Sequence, residues 1–110
     1  MTGKYISGEQ ALRALRARND VYDVLLEHGT LELGLYQPHL EDPQKPHDQD
    51  EVYIIAEGHG RFRLGTDEME FAQGDLLFVP AGVEHRFESF SEDFSAWVVF
   101  YGPKGGESNR

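Results

Sequence analysis

Residues 46–58 of the chain read PHDQDEVYIIAEG, and residues 74–85 read GDLLFVPAGVEH. The first stretch places His47 four residues before Glu51, at the start of a strand-like segment, and the second places His85 just past a Pro-x-Gly turn. Two histidines and one carboxylate can hold a divalent metal and leave coordination positions open for a substrate. The pattern therefore indicates a metal site, provided that the two stretches meet in the fold.

Short apolar runs with period-two alternation surround these stretches and predict a β-rich fold. Glycine, proline, serine and aspartate residues separate the runs at short intervals, which is typical of a sandwich or a barrel. The predicted strands cover residues 22–27, 30–36, 49–56, 61–64, 69–72, 75–79, 85–89 and 94–101. We therefore expect an all-β domain of about eight short strands.

The two ends of the chain depart from this pattern. Ser7 and Gln10 form a capping-box pattern ahead of an alternating leucine and arginine segment, so residues 1–20 are predicted to contain one short helix packed on the barrel. Residues 21–101 form the predicted barrel domain. Residues 102–110 contain three glycines and one proline and are predicted to be a flexible tail.

Side chains alternate across a strand, so the sequence also predicts which residues share a face. If Glu51 faces the interior, Tyr53 does too, and His47 has the same parity if the extended conformation continues back through the preceding residues. In a later strand, His85 and Phe87 share one face while charged neighbours occupy the other. Parity thus allows His47, Glu51 and His85 to converge in one cavity.

These residues resemble the motifs of the small single-domain cupins. Glu51, followed after six residues by Gly58, matches the end of the first cupin motif, and His47 falls on the second histidine of that motif. The second motif is matched in register at Gly74, Pro80, Gly82 and His85. The resemblance implies a double-stranded β-helix, which is a jelly-roll barrel, and a metal held by His47, Glu51 and His85.

The chain departs from the cupin pattern at the first metal-binding histidine, where it has Lys45. His39 stands at the leading glycine of the first motif, and Ser89 replaces the closing asparagine of the second. A lysine amine binds a metal only when it is deprotonated, and its pKa in water is about 10.4. The fourth coordination position is therefore left open among Gln44, Lys45, His39 and a water molecule.

By resemblance, the chain is a metal-binding cupin, and its imidazole and carboxylate ligands suit Fe, Mn, Ni, Cu or Zn. The expected function is an enzyme of the dioxygenase, isomerase or lyase type that acts on a small organic acid or a sugar-like ligand. Tyr53, on the same face as Glu51, is the candidate catalytic acid–base residue. The predicted pocket lining is aromatic and comprises Tyr36, Phe78, Phe87 and Trp97. The alternative is a non-catalytic module that binds a sugar or sugar acid, in which Lys45 could pair with an anionic ligand.

The acidic overall charge makes some classes of binding partner unfavourable. The 110 residues include 20 acidic and 10 basic side chains, for a formal net charge of −10. Such a surface disfavours nucleic acids and anionic membranes, because both require clustered lysine and arginine. The lack of cysteine and of an apolar leader or membrane span leads us to expect a cytoplasmic protein. The resemblance also implies a homodimer.

Overall fold

The strands form two antiparallel sheets that pack face to face. The computed structural model describes residues 3–43 and 45–108. Within these ranges one helix, α1 (Gly8–Ala17), precedes eight strands. The strands are β1 (Tyr22–His28), β2 (Leu31–Tyr36), β3 (Asp50–Glu57), β4 (His59–Leu64), β5 (Asp67–Ala72), β6 (Leu76–Val79), β7 (His85–Phe90) and β8 (Ser95–Tyr101).

The larger sheet has the strand order β1-β2-β8-β3-β6, and the smaller sheet has the order β5-β4-β7. Every paired strand runs antiparallel to its neighbour. Two facing sheets with these crossovers form a jelly roll, which confirms the predicted all-β fold with one short helix. Among the described residues, hydrogen-bonded ladders join strands within each sheet and not between the sheets, so the jelly roll is not a closed barrel.

Aromatic side chains fill the space between the two sheets. Tyr53 of the large sheet and Phe62 and Phe87 of the small sheet are each at most 1% exposed. The ring centroid of Phe87 lies 5.0 Å from that of Tyr53 and 4.8 Å from that of Phe62, within the range of favourable aromatic pairs. This packing fixes the distance between β3 and β7, the strands that carry Glu51 and His85.

Helix α1 covers part of the outer face of the large sheet. The Ser7 hydroxyl accepts a hydrogen bond from the backbone N–H of Gln10 at 3.2 Å, which is the capping contact that the sequence predicts. Leu12 and Leu15 are buried against Leu35 of β2. Leu31 and Leu33 share the outer face of the sheet with Leu35, and the even-numbered residues of β2 face the interior. No helix in the described ranges is long and apolar enough to cross a membrane.

Strand β3 shows the predicted alternation on its inner face. Glu51, Tyr53 and Ile55 are at most 1% exposed, whereas Ile54, on the outer face, is 39% exposed. Val52 and Ile54, on the outer face of β3, are also apolar, and this pattern predicts that both faces of the strand are covered. The structure differs because α1 lies over β2 and β8 and leaves this part of the outer face open.

The segment after β8 differs from the flexible tail that its glycines predict. The N–H of Gly105 donates to the carbonyl of Asp48 at 2.6 Å, and the N–H of Glu107 donates to Oδ2 of Asp50 at 2.8 Å. Gln49 Nε2 also donates to the carbonyl of Gly102 at 2.9 Å. Residues 102–108 are thus held against the residues that lead into β3, and positions 109–110 lie outside the described residues.

A buried aspartate that is not one of the matched motif residues should contribute strongly to stability. The Asp42 side chain accepts hydrogen bonds from the Tyr36 hydroxyl at 2.6 Å and from the Phe87 N–H at 2.9 Å. Because Asp42→Ala leaves both donors buried without this partner, we expect it to lower the free energy of unfolding by about 2–4 kcal/mol, measured by urea denaturation. Asp93→Ala, at an exposed loop position, is the matched control and should change it little. Equal effects from the two variants would contradict the role of Asp42.

Candidate metal and ligand site

Glu51 and His85 meet across the interior of the jelly roll. Glu51 projects from β3 of the large sheet, and His85 is the first residue of β7 in the small sheet. Oε1 of Glu51 lies 3.3 Å from Nε2 of His85, and the two side chains are at most 1% exposed. The structure thus brings together two of the three metal ligands that the motifs predict, in a site that solvent does not reach.

The imidazole of His85 is oriented by the backbone just before β7. Nδ1 lies 2.9 Å from the carbonyl oxygen of Val83, and since a carbonyl only accepts, Nδ1 carries the proton. Nε2 of the neutral ring therefore presents its lone pair to the interior, where the Tyr53 hydroxyl lies 3.1 Å away. A backbone hydrogen bond of this kind sets the tautomer of a metal-binding histidine.

The carboxylate of Glu51 lacks a well-aligned donor. Among the described residues neither of its oxygens accepts a hydrogen bond, although Nε2 of His85 lies close by. Burial lowers the pKa of His85, but the Glu51 carboxylate and the Val83 carbonyl raise it, and the net direction is upward from the ordinary value. The raised pKa shows that this environment favours a positive charge on the imidazole side of the pair.

This donor set fits a divalent cation. A carboxylate oxygen and an imidazole lone pair face each other at 3.3 Å, and such a contact is favourable only when a proton or a metal ion lies between them. The unpartnered oxygens of Glu51 are a second sign, because a buried carboxylate is normally paired or bound to a metal. Glu51 and His85 therefore supply two of the ligands that a metal site requires.

His47 does not join this pair. Its ring stacks on Phe100 with 3.8 Å between centroids, and Phe100 stands directly opposite Glu51 in the β3–β8 ladder. Nδ1 of His47 accepts a hydrogen bond from the N–H of Gln49 at 3.2 Å. Within residues 3–43 and 45–108, no three His, Asp or Glu side chains are grouped so that they could hold one ion.

The residues proposed for a fourth coordination position are not gathered at the pair. Lys45 and His39 are both exposed on the loop that joins β2 to β3. Gln44 lies outside the described residues. The exposed side chain of Lys45 also differs from the inward ammonium that the sequence allowed.

A chamber of about 350 Å³ opens beside Phe100 on the interior side of the large sheet. It is mostly apolar, and its polar groups come from Tyr22, Glu32 and His47. The Tyr22 hydroxyl donates to Oε2 of Glu32 at 2.8 Å. Burial raises the pKa of Tyr22, and the Glu32 carboxylate raises it further, so the phenol keeps its proton. The lining residues are Val21, Tyr22, Glu32, Tyr36, Pro43, His47, Val98 and Phe100.

Sequence reasoning missed Tyr22 and Glu32 because neither belongs to a motif. One signal was available in β2, where glycine occupies position 34 inside an otherwise regular strand. A Cβ on Gly34 would approach the Tyr22 hydroxyl to 2.3 Å, so the glycine makes room for the phenol. A strand glycine of this kind indicates close approach of another group, and the group here is part of the chamber wall.

The four aromatic residues predicted to line the pocket take different positions. Tyr36 lines the chamber, and Phe87 is buried in the aromatic core. Phe78 is 45% exposed on the outer face of β6 because its neighbours Leu77 and Val79 point inward. Trp97 lies under helix α1, in contact with the Leu12 cluster. Phe78 and Trp97 therefore lie on the outer side of the large sheet, away from Glu51.

Known proteins share both the sequence pattern and the fold of this chain. The family model described as Cupin domain matches residues 33–101. An uncharacterized protein of Streptomyces coelicolor is 41% identical over 96 residues, which cover 84% of this chain and 91% of that protein. An acireductone dioxygenase of Pseudomonas savastanoi is 29% identical over 119 aligned positions, which cover 94% of this chain but 65% of the dioxygenase.

The solved structures agree with this assignment at the level of the fold. A protein of Neisseria meningitidis superposes with a TM-score of 0.72 at 22% identity, covering 90% of this chain and 100% of that one. A protein of Shewanella frigidimarina that contains a cupin-2 domain gives a TM-score of 0.59 at 21% identity, covering 74% of this chain and 79% of that one. The motif register, the two-sheet jelly roll and the family match together show that this chain belongs to the cupin family.

Proposed function

We propose that this chain is a metal-dependent cupin enzyme that acts on a small organic acid or a sugar-like ligand. In this proposal Glu51, His85 and His47 are ligands of a divalent transition metal, which is Fe, Mn, Ni, Cu or Zn. The observation that carries it is the buried contact between Glu51 and His85 at 3.3 Å, in which neither oxygen of the carboxylate has a well-aligned hydrogen-bond donor among the described residues. Such a pair is costly to bury unless a cation joins it.

A bound metal with open positions can polarise a substrate oxygen or activate O₂. The residues of the chain perform the remaining tasks. The Tyr53 hydroxyl, 3.1 Å from Nε2 of His85, is placed to hold or pass a proton beside the ligands. Phe100 and Val98 line the chamber with apolar surface, which suits the carbon skeleton of a small ligand.

A dioxygenase reaction has the support of the relatives. The acireductone dioxygenase of Pseudomonas savastanoi aligns with 94% of this chain, so the likeness includes both motif regions, although the alignment covers 65% of that protein. One fold hosts many reactions, and the reaction type therefore remains part of the proposal.

A non-catalytic binding module is the second candidate. The observation in its favour is that His47 stacks on Phe100 instead of joining Glu51 and His85, and that the described residues hold no group of three ligating side chains. Lys45 in place of the family's first histidine points the same way. In this alternative the chamber holds a sugar or sugar acid without chemical change.

We also propose a homodimer, as the family resemblance implies. Strand β6 lies at the edge of the large sheet, where its outward side chains meet those of β3. Ile54, Leu76 and Phe78 are 39%, 61% and 45% exposed there, which makes an apolar strip at an unpaired edge. Edge strands and exposed apolar surface are common sites of self-association.

Removal of either buried ligand should abolish metal binding. We expect about one transition-metal ion per chain after loading, and little or none in Glu51→Gln or His85→Ala, measured by elemental analysis together with the metal-induced rise in Tm. His59→Ala is the matched control, since this histidine is exposed at the start of β4. Circular dichroism checks that each variant is folded. A folded wild-type protein that takes up no metal would refute the proposal.

Lys45→His should strengthen metal binding by restoring the family's first histidine. Groups that only orient a ligand already change metal affinity by roughly 10–100-fold, so an added imidazole should tighten binding at least about tenfold. Competition with a chelator measures the change. Lys104→His, at an exposed position after β8, is the control and should leave the affinity unchanged. No gain in Lys45→His would place position 45 outside the coordination sphere.

Iron-loaded protein should have open coordination positions if the enzyme uses O₂. We expect the anaerobic Fe(II) protein to bind nitric oxide and give the electron paramagnetic resonance signal of an iron–nitrosyl site, because three protein ligands leave room for exogenous ones. Glu51→Gln, treated in the same way, should give no such signal. Iron that binds to the wild type but excludes nitric oxide would favour the binding module over the oxygenase.

A further inference from the structure

A groove of about 610 Å³ lies on the outer face of the large sheet, beside helix α1. We call it the helix groove. Its walls include Leu12 and Arg16 of the helix and Leu35, Glu57, Ser95 and Trp97 of the sheet. The helix groove shares no lining residue with the chamber beside Phe100. It is therefore a separate cavity, on the opposite face of the sheet from Glu51.

The hydroxyl of Ser95 is buried in this part of the molecule without a partner. Ser95 is 0% exposed, and among the described residues its Oγ makes no hydrogen bond. Phe94 and Ala96, on either side of it, belong to the core between the sheets, so by alternation Ser95 points to the outer face and the helix groove. A buried hydroxyl without a partner is unfavourable, and a polar ligand in the groove would supply the missing hydrogen bond.

A bulge in β3 directs Glu57 to the helix groove. Glu51, Tyr53 and Ile55 face the interior, and strict alternation would send Glu57 there too. The register of the β3–β8 ladder shifts between Ile55 and Glu57, which places Glu57 opposite Ser95 and in the groove lining. Directly opposite residues of an antiparallel pair project to the same face. Bulges that re-aim a side chain in this way are common beside functional sites.

Arg16 is held on the helix side of the groove by a chain of two hydrogen bonds. Its Nε donates to Oε1 of Gln37 at 3.2 Å, and Nε2 of Gln37 donates to the carbonyl of Phe94 at 3.3 Å. In the described part of the chain, the two Nη groups of Arg16 donate to no other protein group. The guanidinium is thus fixed at one edge and keeps its other donors for a ligand.

The helix groove contains a positive and a negative charge that do not pair with each other. Arg13 and Glu9, also in its lining, neutralise each other at 2.8 Å. Arg16 and Glu57 take part in no ion pair within residues 3–43 and 45–108. A ligand that carries both signs of charge compensates both residues, whereas a simple anion or cation is repelled by one of them.

We propose that the helix groove binds a free amino acid with an apolar side chain, in its zwitterionic form. The ligand carboxylate accepts hydrogen bonds from the Nη groups of Arg16, and the ligand ammonium group donates to Glu57. The apolar side chain lies against Trp97 and Leu12. The Ser95 hydroxyl gains a partner in the charged end of the ligand. This binding site goes beyond the proposed function and does not depend on it.

The experiment compares L-phenylalanine with two analogues that each lack one charge. Trp97 is the single tryptophan of the chain, so its fluorescence reports directly on the helix groove. The wild-type protein is titrated with L-phenylalanine, with 3-phenylpropanoate, which lacks the ammonium group, and with 2-phenylethylamine, which lacks the carboxylate. We expect L-phenylalanine to bind at least about tenfold more tightly than either analogue, because each analogue leaves one protein charge without a partner.

Substitutions should remove these preferences one at a time. Arg16→Gln should lose the preference for L-phenylalanine over 2-phenylethylamine, and Glu57→Gln should lose the preference over 3-phenylpropanoate. Ser95→Ala should weaken the binding of L-phenylalanine several-fold without lowering Tm, because its hydroxyl has no partner among the described residues. Arg61→Gln and Glu27→Gln, at exposed positions outside the helix groove, are the matched controls and should leave every affinity unchanged.

A free amino acid can also bind a metal ion, so each titration is repeated after treatment with a chelator. The affinity of the helix groove should not change. Binding that is lost with the metal would overturn the inference, as would no saturable change in Trp97 fluorescence, equal affinity for the three ligands, or unchanged preferences in Arg16→Gln and Glu57→Gln. Metal uptake is measured on the same samples. A protein that takes up metal but fails these tests keeps the proposed function and loses only this second site.

Discussion

The contact between Glu51 and His85 ties the two sheets together through polar groups in an otherwise aromatic interior. A carboxylate and an imidazole from opposite sheets meet at 3.3 Å with almost no exposed surface. Burial of a charged group is costly unless an opposite charge or a metal compensates it. The surrounding residues therefore have to hold both side chains in position. The Val83 carbonyl sets the tautomer of His85, and the packing of Phe87 on Tyr53 sets the separation of the strands.

Much of this arrangement follows from the sequence, because the relevant patterns are local. Period-two alternation is enough to send Glu51, Tyr53 and His85 to the interior, and the Ser7–Gln10 capping pattern is enough to start the helix. The cupin motifs extend the prediction from an all-β fold to a jelly roll, because the spacing between Gly74 and His85 matches the second motif. These features depend on residues close together in the chain, and the structure has them where the patterns predict.

The rest of the site depends on contacts between distant segments, which alternation cannot determine. Phe78 is apolar and was expected in the pocket, but its parity in β6 sends it outward and the sheet edge leaves it exposed. His47 has the interior parity, yet it precedes β3, and its ring is placed by Phe100 instead of by the strand. Glu32 was overlooked because the leucines on either side of it gave the dominant pattern, although of the leucines of β2 only Leu35 belongs to the cluster under the helix.

The hydrogen bonds after β8 link the end of the described chain to the residues around the start of β3, next to His47 and Glu51. Gly105 binds the carbonyl of Asp48, one residue from His47, and Glu107 binds the side chain of Asp50, one residue from Glu51. A shift of the backbone around His47 would strain or rearrange these bonds. A probe attached near residue 107 would therefore report on movements around the start of β3 from outside the jelly roll, without altering a residue of the interior.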